Sequence, residues 1–129
     1  MNKIIVEVSV GELLDKISIL EIKQEKIKDP EKLKFINNEH SILRDQLKKN
    51  VKSDDKLNNF YQSLKEINAK LWVIEDDKRQ CEKDKDFGEK FIKLSRDVHF
   101  LNDDRAKIKL EINNHTGSII KEIKEYTNY

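Results

Sequence analysis

Apolar residues along this chain recur at two periods. From Ile4 to Val10 the residues are β-branched and alternate from Val6 to Val10, the period-two signature of a short strand. Beyond Val10 the period lengthens to three and four. Ser9 followed three residues later by Glu12 is a capping box, which predicts a helix starting near Val10. The apolar residues of this helix are Val10, Leu13, Leu14, Ile17, Ile19, Leu20, Ile22 and Ile27. They cover well over half the circumference, so burial on more than one side is predicted. Asp29-Pro30 ends that helix and opens the next, with Asp as N-cap and Pro at the first helical position.

The second helix, over about 30–50, carries Leu33, Ile36, His40, Leu43 and Leu47. Ser53, Asp54 and Asp55 open a third, whose seam is Leu57, Phe60, Leu64, Ile67, Leu71, Ile74, Lys78 and Cys81. Asp86 and Glu89 mark a second capping-box-like start, followed by Phe87, Phe91, Leu94, Val98, Leu101, Arg105, Ile108 and Ile112. Unbroken 3-4 spacing over four turns or more is the signature of antiparallel bundle helices. Thr116-Gly117 stops the last one. The segment Ser118–Tyr129 reads either as a strand pairing with residues 4–9 or as a short helix.

The predicted fold is all-α: an elongated antiparallel four-helix bundle, two helices long and two shorter, in one domain over 1–129, with short terminal β-strands that can pair. At the helical rise per residue the first two helices span roughly 27–30 Å and the last two roughly 43 Å. The long hairpin then overhangs by roughly 15 Å, about residues 74–96. Its seam residues Ile74, Cys81, Phe87, Phe91 and Leu94 are left uncovered, which predicts a homodimer through this region.

Composition narrows the function classes. Of 129 residues 40% are charged, yet the formal net charge is only +1. That balance disfavours nucleic acid and acidic membranes as partners, since both require a basic excess. The opening run Ile4-Ile5-Val6 stops at Glu7, too short for a secretory core of about 7–15 residues or a membrane span of about 20. Cys81 is the sole cysteine, which excludes an internal disulfide and a CxxC motif and fits a cytoplasmic setting. Lysine supplies most of the positive charge. Only Arg44, Arg79, Arg96 and Arg105 are arginine, so each of them is informative.

Three seam positions are polar: His40, Lys78 and Arg105. A charge there costs stability unless paired, so each points to something specific. For Lys78 the plain reading is snorkelling near the hairpin tip, and for His40 a satisfied core histidine. Arg105 reads either as half of a buried ion pair or as a group that grips an anion. Aligned heights place it level with Glu66 and Glu21, and Asp103 is a third candidate partner. Lys23, Asn68, Asn102 and Asp103 lie near the same height. Farther along the third helix Glu75, Arg79 and Glu82 share a face, with Trp72 beside them.

The blocks Val8–Lys23, Leu71-Trp72 with Glu75-Asp76 and Arg79, Phe91-Ile92 with Arg96, Asn102-Asp103 with Arg105–Lys109, and Gly117-Ser118 with Glu122, Lys124 and Tyr126 carry a resemblance. As a set they resemble a small bacterial and phage family known only as a domain of unknown function. Its members sometimes occur beside glycosyltransferases in surface-polysaccharide gene clusters. The resemblance covers nearly the whole chain and implies no reaction. His99 stands where the pattern implies a tyrosine, and residues 121–125 depart from it in order. The signature is rich in charged residues, which implies a site and not only a packing seam.

The candidate ligand-binding set is Lys16, Glu21, Lys23, Asn68, Glu75, Arg79, Asn102, Asp103 and Arg105, with no cofactor and no metal. The first function reading is a binding module that recognises a partner protein or a small anionic ligand such as a nucleotide or sugar phosphate. The second is a metal-dependent hydrolase of a phosphorylated small molecule, as in all-helical nucleotide pyrophosphohydrolases. There carboxylates at i,i+3 hold Mg²⁺. Glu12/Asp15 has that spacing, Glu122/Glu125 offers another at the same end, and Glu21/Glu25 is spaced by four. Acids that alternate with Lys and Arg favour ion pairing or anion binding over a Mg²⁺ site. His99 and Asp103 form only a chance-level i,i+4 pair. HExxH, P-loop, GxGxxG and GxSxG patterns are absent. A chorismate-mutase-like grip requires several arginines, and the first helix has none.

Overall fold

The computed structural model describes residues 2–129, which form four helices joined by short turns: α1 Val10–Lys26, α2 Pro30–Asn50, α3 Asp55–Asp84 and α4 Glu89–Thr116. Local chemistry sets each boundary. Ser9 Oγ accepts from the Glu12 amide at 3.0 Å, and Asp29 accepts from the Glu31 amide ahead of Pro30. Asp54 caps α3 by accepting from the Leu57 amide at 2.7 Å. Lys85 (φ 55°) and Gly117 (φ 66°) terminate α3 and α4 in the left-handed region, where glycine carries no steric penalty. The capping box predicted from Asp86 and Glu89 forms differently. Gly88 occupies the N-cap of α4, and Asp86 accepts from the Gly88 amide before the helix begins.

α1 is the central element. It packs on each of the other three helices, α3 packs on α4, and α2 rests on α1. Burial of Leu14, Ile17, Leu20 and Ile22 follows, as the wide apolar arc of α1 predicts. Leu14, Leu57, Leu64 and Ile112 form the core, edged by Val10, Leu47, Val51, Phe60, Tyr61 and Ile108. Each such side chain removed from water contributes about 1.5–3 kcal/mol.

The pairings fix how α1 lies on the α3–α4 hairpin. Along α4 its partners run backward: Gly11 meets Asn113, Glu12 meets Lys109 and Asp15 meets Arg105. Along α3 they also fall back overall, though without a steady register. Asp15 and Ser18 meet Asn68, whereas Glu21 meets Tyr61 and Glu25 meets Lys65. Contacts of Phe60 with His115 and of Lys78 with Phe91 make α3 and α4 antiparallel to each other. One helix cannot oppose both, so α1 crosses the hairpin obliquely. Gly11 sits where it crosses α4. A Cβ there would lie 2.6 Å from the Lys109 carbonyl oxygen, so only glycine permits this approach.

Three expectations change accordingly. The four helices bundle together, but α1 is not aligned along the hairpin, so matched heights do not identify the partner of Arg105. It pairs with Asp15, and not with Glu21, Glu66 or Asp103. No strand occurs among the described residues. The roots of the two terminal segments touch, Val10 N–H donating to Ser118 Oγ at 3.1 Å, but the segments do not form a ladder. Finally, the overhanging seam is largely closed by the hairpin itself. Cys81 is buried, Ile74, Phe91 and Leu94 are half-buried, and Phe87 meets Phe91 edge-on. The open apolar surface is a neighbouring stripe of Val73, Ile92 and Phe100, with Phe87 at the tip.

Candidate functional site: a polar cluster beside a cleft

Helical spacing assembles a polar cluster where α1 crosses α4. Glu12, Asp15 and Ser18 follow at i,i+3 on one face of α1, and Asn102, Arg105, Lys109 and Asn113 at three and four on one face of α4. Asp15 is fully buried, and charged and polar groups hold its carboxylate. Its Oδ1 accepts from Arg105 Nε at 2.9 Å and from Asn68 Nδ2 at 2.8 Å, and its Oδ2 accepts from Arg105 Nη2. Asn68 also donates to Ser18 Oγ at 2.8 Å. The hydrogen bonds that it donates to Asp15 hold the Arg105 guanidinium even more firmly protonated than usual, against its partial burial.

Next along α4, the Lys109 ammonium is held by Glu12 at 2.7 Å and Glu122 at 3.0 Å, with Asp15 at 3.9 Å. Burial alone would pull its pKa down. The hydrogen bonds to Glu12 and Glu122 outweigh that and raise it. Glu122 is brought there by the turn at Gly117, and the hydrogen bond from Lys109, then that from Lys124, lowers its pKa.

Beyond the ion pairs lies a cleft of about 750 Å³ between α4 and the C-terminal segment. Its lining includes Arg105, Lys109, Lys124, Asp103, His99 and Tyr126. Tyr129 closes one end. Its hydroxyl donates to Asp103, and its ring meets His99 and Phe100 edge-on at 5.1 and 5.3 Å. Arg105 faces this space with one edge uncommitted. Nε and Nη2 are spent on Asp15, whereas Nη1 has a single long contact, 3.4 Å to Asn102 Oδ1.

Of the residues predicted for the site, Asn68, Asn102, Asp103 and Arg105 meet here, and Lys16 lies at its edge, 3.8 Å from Glu12. Glu21 belongs to a separate cluster. It accepts from His40 at 3.0 Å and from Tyr61, with Lys65 at 3.6 Å. Burial would raise its pKa, but those donors lower it, while burial and the Glu21 carboxylate raise that of Tyr61. His40 is therefore a satisfied, half-buried histidine. Lys78 lies over the Phe91 ring. Lys23 is half-buried on α1, and Glu75 and Arg79 are exposed farther along α3; none of the three joins either cluster.

Asp15, Ser18, Glu12, Lys109, Asn113, Glu122 and Lys124 are among the members that the predicted set lacks. The i,i+3 spacing of Glu12 and Asp15, with Glu122 at the same end, was the available signal. It does mark a convergence of carboxylates, but the Lys109 ammonium stands in their midst.

Three blocks that carry the family resemblance, from α1, α4 and the C-terminal segment, meet at this cleft although about 90 positions separate Asp15 from Arg105. Residues 4–129 match the family of unknown function DUF6165, and the chain belongs to that family. No protein of curated function and no solved structure matches it. Among the described residues no helix is long and apolar enough to cross a membrane.

Proposed function

We propose that the chain is a binding module whose cleft between α4 and the C-terminal segment takes a small anionic ligand, a nucleotide or sugar phosphate. The observation that carries this reading is the half-committed guanidinium of Arg105. One edge is locked on buried Asp15, so the side chain that lines the cleft is already oriented, and Nη1 has only one long contact. A pre-oriented arginine loses little further entropy when it binds a phosphate or carboxylate. Lys124 adds charge, and the rings of His99, Tyr126 and Tyr129 supply flat surface for a base or sugar. The cleft volume lies within the usual range for small-molecule sites, about 300–1,000 Å³.

A metal-dependent hydrolase has less support. Lys109 fills the space between Glu12, Asp15 and Glu122 where a divalent ion would require open carboxylate oxygens. A protein partner is a second reading, for the α3–α4 surface where Val73 and Phe100 border an apolar groove.

Calorimetric titration with nucleoside phosphates, nucleotide sugars and sugar phosphates tests the proposal. The paired substitution Asp15→Asn with Arg105→Met removes the pair without leaving one buried charge alone, so folding is retained. It is expected to abolish binding of any ligand the native protein takes up. Unchanged affinity in that variant, or no uptake across all three ligand classes, contradicts the assignment.

A further inference from the structure

Residues 2–9 lie outside the helices and carry the most exposed apolar run before α1: Ile4 is 86% exposed, Ile5 80% and Val6 70%. Among the described residues, none of the backbone groups of residues 2–8 hydrogen-bonds elsewhere in the chain. β-branched residues with an unpaired backbone are suited to pair as a strand once a partner is supplied.

The order of residues says which partner fits. Lys3-Ile4-Ile5-Val6-Glu7 is complementary to itself when reversed. In an antiparallel pair centred on Ile5, Lys3 of one copy faces Glu7 of the other, Ile4 faces Val6, and Ile5 faces Ile5. In a parallel, in-register pair, Lys3 would face Lys3 and Glu7 would face Glu7, and like charges directly opposed are destabilising.

We infer that residues 3–7 are a self-association surface, whose partner is the same segment of a second copy of this chain, paired antiparallel about a two-fold axis at Ile5. The arrangement closes on itself, as an isologous dimer must. A ribbon of two short strands is marginal in water and needs an apolar cover. Alternation puts Ile4, Val6 and Val8 of each copy on one face of the ribbon. The C-terminal segment, rooted beside this one by the Val10–Ser118 hydrogen bond, offers exposed Ile119 and Ile120 to cover it. Residues 3–7 themselves do not line the proposed ligand cleft.

Charge exchange tests the register directly. Lys3 and Glu7 are exposed, so neither substitution disturbs the helices, and circular dichroism confirms that. The native chain is expected to show a dimer mass by light scattering that falls to the monomer on dilution. Lys3→Glu alone and Glu7→Lys alone each oppose like charges and remain monomeric. An equimolar mixture of the two recovers the dimer mass, and so does the double exchange in one chain. In parallel, Ile5→Cys should form a covalent dimer on mild oxidation, because the two-fold axis sets the two side chains directly opposite, with Cβ atoms about 4.5 Å apart, at the upper end of what a disulfide spans. A native chain that is monomeric throughout, or single exchanges that dimerise as well as the native chain, overturns the inference. The second result would move the interface elsewhere, for instance to the α3–α4 hairpin.

Discussion

Two carboxylates on α1, six residues apart, collect polar partners from other helices, but they do so to different ends. Glu21 is half-buried and receives one donor each from α2 and α3, His40 and Tyr61, with Lys65 nearby. His40 reaches Glu21 from α2, and Tyr61 and Lys65 reach it from α3, so the cluster acts as a pin between three helices. Asp15 is fully buried and bound to an arginine that engages it with only part of its donor set. The same side chain lines a cleft. A polar group that ends in other protein groups holds the fold, whereas one that ends in a half-used arginine at a cavity is available to a ligand.

Removing Arg105 should have the largest effect. Arg105→Met strips the buried Asp15 carboxylate of its main cationic partner, leaving Asn68 and a Lys109 ammonium 3.9 Å away, and is expected to destabilise the fold by about 3 kcal/mol, measured by urea denaturation. Asp15→Asn in the same chain should recover most of that loss. If the single substitution is neutral, Asp15 and Arg105 are not a coupled pair and the contrast with Glu21 fails.

Gly11→Ala ranks next. The added methyl would press on the Lys109 carbonyl and on Asn113 Oδ1 where α1 crosses α4, a forced overpacking worth about 1–3 kcal/mol. The same urea denaturation reads it, and a cost near zero would mean that α1 does not approach α4 this closely.

The Glu21 pin predicts a smaller loss. Tyr61→Phe removes one hydrogen bond to a charged acceptor that keeps two other polar partners, and about 1 kcal/mol is expected. This substitution should leave ligand binding at the cleft unchanged, which separates the two clusters in one experiment.

Acid sharpens the comparison further. Glu21 and Glu122 both titrate below the ordinary glutamate value of 4.5 in the folded chain. Each therefore contributes stability that is present above pH 4.5 and is lost as pH falls through its lowered folded value. Thermal melts from neutral pH downward should show stability declining in that acid window. Glu122→Gln should flatten its share of the decline while the Glu21 share persists. An identical profile in the variant would show that Glu122 does not hold Lys109.

Much of this was legible in the sequence. Ser9, Asp29-Pro30, Asp54 and Gly117 mark helix ends because each supplies a local hydrogen bond or backbone geometry that neighbouring residues alone specify. The 3-4 seams identify which face of each helix is buried. They carry no information on crossing angle, so a bundle with parallel axes placed Arg105 beside Glu21, and the oblique path of α1 gives it Asp15. Gly11 at the close approach was the sole local trace of that crossing. The strand predicted over residues 4–10 has the right residue types but no partner within the chain, and a strand is defined by its partner. Lys109 was hidden for a different reason. It reads as one surface lysine among many until Glu12 and Glu122 converge on it from distant positions.

The central claim is that the cleft beside Arg105 binds an anion, and backbone NMR tests it most directly. Titration of the ¹⁵N-labelled chain with nucleoside phosphates, nucleotide sugars and sugar phosphates is predicted to shift the amides of residues 99–109 and 122–129 together for the ligand that binds, with the Arg105 Nε signal moving in step. The Glu21, His40 and Tyr61 signals should stay in place. Shifts confined to the Glu21 cluster or scattered over surface lysines, or no shift with any of these ligands, would contradict it.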